Sequence, residues 1–117
     1  MTTQEIATKL VDLCRKGDFE TVYRELYSPD CVSIEPAGSP MEICTGMEEI
    51  AAKGKAWNES MEAFHGSEVG DPIVAQDHFS LTMSMDATFK DRGREQMNEL
   101  CVYEVKEGKI VKEQFFY

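Results

Sequence analysis

The stretch HFSLTMSMDATFK DRG REQMNELCVYEV KEG KIVKEQFFY, residues 78–117, decides the fold of this chain. Three runs in which apolar and polar residues alternate are separated by two glycine-containing turns, a pattern typical of three consecutive antiparallel strands. The apolar residues of the first run fall on one face, and they are Phe79, Leu81, Met83, Met85, Ala87 and Phe89. The sequence therefore predicts a long sheet with one apolar side.

Two short amphipathic helices are predicted to open the chain and to cover that side of the sheet. Thr2 and Glu5 have the spacing of a capping box, and the apolar positions that follow keep helical periodicity until Gly17 ends the helix. Asp18 is placed to cap a second helix, which Pro29 ends.

After the second helix the periodicity changes from helical to two. Residues 31–35 alternate, which predicts a strand, and Pro36 ends it. A turn at residues 37–40 and a short extended segment at residues 41–44 are expected next.

A third helix is predicted from a second capping box, formed by Thr45 and Glu48. Its apolar positions continue to Phe64, and residues 65–66 are expected to end it. Trp57, the only tryptophan, lies on this apolar side and is expected to be largely buried.

The remaining segment predicts one more strand before the three long ones. Residues 70–72 contain a glycine and a proline and predict a kink, residues 73–75 are apolar, and Gln76-Asp77 is expected to form a hairpin turn. The predicted order is α-α-β-(β)-α-β-β-β-β. This order is typical of an α+β fold in which helices cover one face of a curved antiparallel sheet, as a single domain over residues 1–117.

Composition excludes several classes of function. The chain has 117 residues, a net charge of −10 and a pI near 4.6, with no cluster of lysine or arginine. A nucleic-acid site or a membrane-surface site is therefore not expected, since both need a basic face. No run is long and apolar enough for a membrane span, and no signal peptide is expected.

The four cysteines are far apart in the sequence and form no CxxC pair, and no cysteine or histidine set has the spacing of a metal site. We therefore expect reduced thiols in a cytoplasmic protein, with no metal and no cofactor. His65 and His78 are expected to be structural, the first at a helix end and the second on the polar face of a strand.

The predicted order of elements, in a chain of this length, resembles the nuclear transport factor 2-like superfamily, and within it the small SnoaL-like and ketosteroid-isomerase-like proteins. The resemblance covers essentially all 117 residues and is most specific in four segments. These segments are residues 17–20 (GDFE), 27–36 (YSPDCVSIEP), 45–50 (TGMEEI) and 108–110 (GKI), the last followed by a terminal QFFY. The resemblance implies a cone-shaped sheet wrapped around the helices, with an apolar pocket at its open end. It also implies a homodimer formed through the outer face of the sheet, where Ser80, Thr82 and Ser84 would provide a polar patch.

Family members use this pocket as isomerases, dehydratases, cyclases or epoxide hydrolases, or only to bind a ligand or a partner, so the pocket residues must be argued individually. Glu35 falls where ketosteroid isomerases carry the carboxylate that moves a proton between carbons. A partly desolvated carboxylate is a better base, because burial raises its pKa. The alternative is a solvated carboxylate at the end of a strand.

The other groups of a ketosteroid isomerase are missing. Leu10 stands where the resemblance implies an oxyanion-binding tyrosine, and Cys101 where it implies a protonated aspartate. Isomerisation of ketosteroids is therefore not expected. A hydroxyl from Tyr23, Tyr27 or Tyr103 is an alternative donor.

Alternation along the last two strands adds two carboxylates. If Cys101 faces the pocket, Glu99 and Tyr103 face it as well, and Glu113 does so from the final strand. Two acids that share an apolar site acquire different pKa values and can act as an acid and a base. A register error of one residue would turn both outward.

The predicted site consists of the catalytic candidates Glu35, Glu99 and Glu113 and of nine residues expected to contact the ligand. These nine are Tyr27, Trp57, Met61, Met83, Met85, Cys101, Tyr103, Phe115 and Tyr117. The expected ligand is a small apolar molecule. The chemistry is either cofactor-free acid/base catalysis of the isomerase, dehydratase or cyclase type, or ligand or protein binding without catalysis.

Overall fold

The computed structural model describes residues 1–117 as three helices packed on one face of a curved seven-stranded sheet, which confirms the α+β class. The helices are α1 (Thr3–Arg15), α2 (Phe19–Leu26) and α3 (Met47–Ser60). The strands are β1 (Tyr27–Ile34), β2 (Ile43–Thr45), β3 (Met61–Val69), β4 (Ile73–Val74), β5 (His78–Phe89), β6 (Gly93–Lys106) and β7 (Lys109–Phe116). None of the helices is long and apolar enough to cross a membrane.

The strands follow the order β2-β1-β7-β6-β5-β3, and the short β4 pairs with β5 beside this path. β5, β6 and β7 form the antiparallel meander predicted from the sequence. β1 runs parallel to β7, so the sheet is not entirely antiparallel as predicted. This pairing places Ser33 of β1 directly opposite Glu113 of β7.

The first two helices begin as their sequences predict. The Thr2 hydroxyl accepts from the backbone N–H of Glu5, and the Glu5 carboxylate accepts from the backbone N–H of Thr2. The Asp18 carboxylate accepts from the N–H of Thr21. Each side chain satisfies an N–H that has no partner within the helix, which fixes where the helix begins.

The predicted capping box of the third helix is wrong. α3 is capped by Gly46, which has a φ of 88° and no side chain to form a capping bond. The Thr45 N–H instead donates to the Glu49 carboxylate at 3.0 Å, one residue beyond the predicted Glu48. A left-handed φ is accessible to glycine at little cost, which explains the cap at this position.

The end of the third helix was also predicted wrongly, because residues 61–69 form β3. β3 pairs with β5 through two register shifts, one of them next to Gly66. It lies at the edge of the sheet and most of its side chains are exposed, so no alternation of buried and exposed residues marks it in the sequence. His65 is consequently a strand residue, and its Nε2 lies 2.7 Å from the Thr88 hydroxyl.

The core lies between the helices and the inner face of the sheet. The apolar face of β5 is buried at Phe79, Leu81, Ala87 and Phe89. The helices contribute the buried residues Ile6, Ala7, Leu10, Val11, Cys14, Val22, Leu26 and Ile50. Trp57 is only half-buried and packs on Phe89 with ring centroids 5.0 Å apart, so its predicted burial is only partly reached.

Two turns agree with their sequence signals. The N–H of Ala75 donates to the carbonyl of His78 at 2.8 Å, which closes the hairpin turn predicted at Gln76-Asp77. The β6–β7 turn contains Glu107 with φ 52° and Gly108 with φ 74°. Two successive left-handed residues match the twist of a two-residue hairpin.

Candidate functional site

The three sequence-predicted acids come together near the ends of β1 and β7. Glu35 directly follows β1, Glu113 lies on β7, and Glu99 lies on the adjacent β6. Desolvation raises the pKa of Glu99, and the negative charges of Glu35 and Glu113 raise it further. The catalytic role of these three residues stays a prediction.

Glu113 is the innermost member of the cluster and is only 3% exposed. Its Oε2 accepts a hydrogen bond from the Ser33 hydroxyl at 2.6 Å, and its Oε1 accepts one from the Tyr27 hydroxyl. Burial raises the pKa of the Glu113 carboxyl, and the two hydrogen bonds act in the opposite direction. Both carboxyl oxygens are therefore satisfied from within the protein.

Lys53 of α3 supplies the positive charge of the cluster. Its Nζ donates to the Ser33 hydroxyl at 2.5 Å and lies 3.7 Å from Oε1 of Glu35. The same ammonium lies 5.4 Å from the centroid of the Phe115 ring, a distance typical of a cation–π contact. The Lys53 side chain is 17% exposed, so this charge is largely withdrawn from solvent.

Glu35 differs from Glu113 in its hydrogen bonding. Its side chain is 18% exposed, and its Oε2 is buried without any hydrogen-bond partner. Desolvation raises the pKa of the Glu35 carboxyl, and the nearby Lys53 ammonium opposes the rise. A buried carboxyl oxygen without a donor is costly, because it has lost its water without a replacement.

Glu99 is a second carboxyl with an altered affinity for protons. Desolvation, followed by the negative charge of Glu35, raises its pKa to about 7. The thiol of Cys101 donates to Oε1 of Glu99 at a sulfur–oxygen distance of 3.7 Å. At neutral pH this carboxyl is therefore divided between its acid and its base form, as proton transfer requires.

A groove of about 430 Å³ opens beside Glu35 at this end of the sheet. Its walls come from the residues that follow β1 and from the end of β7. They are Ile34, Glu35, Pro36, Ala37, Glu42, Gln114, Phe115, Phe116 and Tyr117. The groove thus combines a mostly apolar wall with the carboxyl group of Glu35.

The predicted ligand contacts are divided between the core, the groove and the far end of the sheet. Phe115 and Tyr117 line the groove. Tyr27, Cys101 and Tyr103 are buried in the core, Tyr103 with its ring stacked on Phe79 at 4.7 Å between centroids. The remaining four are half-buried. Met83 packs against the core, and Met85 lies two residues before the buried Ala87 on β5. Trp57 and Met61 lie beside Phe89.

Sequence reasoning missed Lys53 and Ser33, although both leave a signal. Lys53 lies three residues after Ile50 and four before Trp57, which places it on the side of α3 that faces the sheet. Ser33 alternates with Val32 and Ile34, and its face of β1 is the buried one. A polar residue at a core-facing position is unusual, and this feature could have identified both as candidate site residues.

Buried core residues occupy the two positions at which the resemblance to ketosteroid isomerases implies oxyanion donors. Leu10 is 1% exposed and has no polar group, and Cys101 is fully buried. All four cysteines are unpaired and buried, and desolvation raises the pKa of Cys14 and of Cys31 to about 12. Such thiols are poor nucleophiles. No group of three or more His, Cys, Asp or Glu side chains could hold a metal ion.

Solved structures with the same architecture come from several bacteria. A candidate SnoaL-like polyketide cyclase from Mesorhizobium loti is 36% identical, covers all of both chains and gives a TM-score of 0.94. A nuclear transport factor 2-like protein from Burkholderia thailandensis is 18% identical with a TM-score of 0.84, over 99% of this chain and 90% of that one. A protein with a ketosteroid isomerase-like fold from Catenulispora acidiphila, in complex with trimethylamine, is 18% identical with a TM-score of 0.75, over 99% of this chain and 87% of that one.

The fold is therefore that of the nuclear transport factor 2-like and ketosteroid-isomerase-like proteins. A family model described as a SnoaL-like domain matches residues 1–117. The chain belongs to the SnoaL-like domain family. A search of curated proteins finds no match.

Proposed function

We propose that the groove binds a small, largely apolar carbonyl compound. Glu35 removes a proton from one atom of this compound and returns it to another, without a cofactor. The observation that carries this proposal is the buried Oε2 of Glu35, which has no donor within the protein although the same residue lines the groove. Desolvation raises the pKa of this carboxyl and strengthens it as a base. Phe115 and Tyr117 offer apolar surface for the body of the ligand.

The proposed step begins with ionised Glu35 beside a C–H group next to the carbonyl. The C–H bond breaks, its proton forms an O–H bond on Glu35, and its electron pair moves into an enolate. Where a C=C bond is conjugated with the enolate, return of the proton from Glu35 to the far carbon gives isomerisation. Attack of the enolate carbon on a second carbonyl of the same molecule gives cyclisation, and Glu35 then gives its proton to the alkoxide that forms. Both outcomes restore Glu35 and need no oxidant or reductant, since atoms and charge balance within the ligand and the carboxyl.

Glu99 and Glu113 are proposed to have unequal roles. Glu99, with a pKa raised to about 7, can deliver or remove a second proton near neutral pH. Both carboxyl oxygens of Glu113 accept hydrogen bonds, one from Ser33 and one from Tyr27. Glu113 is proposed to keep a negative charge, which holds Lys53 in place through the Ser33 hydroxyl. The 36% identical Mesorhizobium loti protein, a candidate polyketide cyclase, supports a carbonyl-rich ligand of this kind.

The test is thermal unfolding and turnover with a panel of apolar carbonyl compounds, including aromatic polyketide-like esters, in wild type and Glu35→Gln. A ligand that binds the folded state raises the melting temperature by mass action. Loss of the proton acceptor is expected to lower turnover by about 10²–10⁴-fold. Glu48→Gln, on an exposed position of α3, is the matched control and should change neither quantity. Equal turnover in wild type and Glu35→Gln would refute the proposal.

A second candidate is a non-catalytic interaction domain, favoured by an apolar pair on the outer face of the sheet. Leu100 of β6 and Phe116 of β7 are directly opposite each other, and they are 42% and 49% exposed. We propose that this face, which also carries Ser80, Thr82 and Ser84, pairs two copies of the chain. Leu100→Glu should then convert a dimer to a monomer in sedimentation velocity, and a wild-type monomer would contradict the proposal.

A further inference from the structure

We infer that Lys53 supplies the hydrogen bond and positive charge that stabilise the oxyanion formed on the ligand. This inference rests on the proposed function of the groove. The resemblance implies an oxyanion-binding tyrosine and acid at two positions, and Leu10 and Cys101 occupy them. An enolate in this site therefore needs a donor from elsewhere.

The ammonium of Lys53 has unused hydrogen-bonding capacity. It carries three N–H groups, and one of them donates to the Ser33 hydroxyl at 2.5 Å. Its other neighbours, Oε1 of Glu35 at 3.7 Å and the Phe115 ring at 5.4 Å, are beyond hydrogen-bonding distance. Two N–H groups thus have no hydrogen-bond acceptor within the protein.

The position of Lys53 matches the position of the base. Glu35 and Phe115 both line the groove, and the Lys53 ammonium lies 3.7 Å from Oε1 of Glu35 and 5.4 Å from the centroid of the Phe115 ring. A carbonyl oxygen that enters between these two side chains reaches the ammonium, while the adjacent C–H group reaches the carboxyl group of Glu35. Base and oxyanion donor therefore act on neighbouring atoms of one ligand, as enolisation requires.

The surroundings of Lys53 hold it in one orientation. Ser33 accepts from Lys53 and donates to Glu113, and Tyr27 donates to the other oxygen of Glu113. All of these partners are buried, so the ammonium is fixed before a ligand arrives. Donors fixed in advance in a site with little water are the effective ones in stabilising a developing negative charge.

The experiment uses para-nitrophenol as a probe for an oxyanion, because its phenol and phenolate forms absorb at different wavelengths. The probe is added to wild type at mildly acidic pH, where most of the free compound is protonated. Binding is expected to produce the phenolate spectrum, with the proton passing to Glu35 so that the total charge of the site is unchanged. Lys53→Met should return the bound probe to the phenol spectrum and weaken binding by about tenfold.

Two variants separate the charge of Lys53 from its packing. Lys53→Arg keeps a donor cation and should keep the phenolate spectrum. This variant tests the inference even if Lys53→Met does not fold. Lys55→Met removes a lysine on the same helix whose side chain is 78% exposed, and it should leave both spectrum and affinity unchanged.

The outcomes distinguish this inference from the proposed function. Binding of the probe as a neutral phenol by wild type, or a phenolate spectrum that survives in Lys53→Met, overturns the role of Lys53 but leaves the groove as a ligand site. Absence of binding to wild type overturns the role of Lys53 and also counts against the groove.

Discussion

The hydroxyl of Tyr27 donates a hydrogen bond to the carboxylate of Glu113 inside the core, where the two residues are 5% and 3% exposed. Tyr27 begins β1, and Glu113 lies on β7, its parallel neighbour. The bond therefore joins the end of the helical segment to the last strand. It also satisfies a buried charge that would otherwise be costly.

Tyr27→Phe is expected to lower the free energy of unfolding by about 1.5–3 kcal/mol, because the substitution removes a hydrogen bond to a buried charged acceptor. The measurement is urea denaturation at neutral pH. Tyr23→Phe is the control, since Tyr23 packs edge-to-face on Tyr27 at 5.0 Å but does not bond to Glu113. Equal losses in the two variants would mean that the bond to Glu113 contributes little.

Two glycines are expected to respond to alanine in opposite directions. Gly108 has a φ of 74°, and an added Cβ would lie 3.3 Å from the backbone nitrogen of Met1. Gly108→Ala should therefore lower stability by about 1 kcal/mol or more. Gly54 lies within α3, where an added Cβ would have open space within 4 Å, and Gly54→Ala should raise stability by up to about 1 kcal/mol. Thermal unfolding of both variants tests the two signs together.

Glu99→Gln should change how stability depends on pH. The pKa of Glu99 rises from an ordinary 4.5 to about 7, so the folded protein binds this proton more tightly than the unfolded chain does. The associated stability is fully present below pH 4.5 and is lost as the pH rises through about 7. Glutamine carries no charge at any pH and avoids this loss.

The variant should therefore match wild type at low pH and exceed it above neutrality by roughly 1–3 kcal/mol, allowing for partial exposure to solvent. Melting temperatures across this pH range provide the measurement. Glu62→Gln, on an exposed position of β3, should give no such dependence. A constant difference between Glu99→Gln and wild type at all pH values would contradict the raised pKa.

The sequence predicted the parts of the fold whose packing leaves a periodic pattern. The alternation of β5 and the capping residues of α1 and α2 are local signals, and they appear in the structure where they were expected. β3 could not be predicted in this way, because its pairing with β5 is non-local and its side chains are mostly exposed. Met61 and Phe64 continue the helical spacing of α3, so the sequence pattern favours helix rather than strand for the first residues of β3.

The acids of the site could be anticipated from alternation and resemblance. Lys53 and Ser33 leave a signal in their core-facing positions, but the bonds that join them to the acids leave none. That Glu113 is bonded to Ser33 follows from the parallel pairing of β1 with β7, and this pairing has no local signature. A lysine on an amphipathic helix is usually solvated, so the sequence does not predict a buried Lys53. Its burial depends on the packing of α3 over β1, which only the tertiary structure shows.

Ser33→Ala tests whether the Ser33 hydroxyl stabilises the buried Lys53 and Glu113 side chains. Ser33 is fully buried, and its removal leaves Lys53 without its acceptor and Glu113 without one of its two donors. The expected loss is about 1–3 kcal/mol in the free energy of unfolding. Ser67→Ala, on an exposed position of β3, should be close to neutral.

Coupling is measured by urea denaturation of wild type, Ser33→Ala, Lys53→Met and the double variant. In Lys53→Met the Ser33 hydroxyl has already lost its cationic donor, so Ser33→Ala should cost less there than in wild type. The difference between the two costs is expected to be about 0.5–3 kcal/mol, the range for residues in direct contact. Additive losses would mean that the Ser33 hydroxyl does not stabilise Lys53, and the oxyanion donor would then lack the fixed support that the geometry provides.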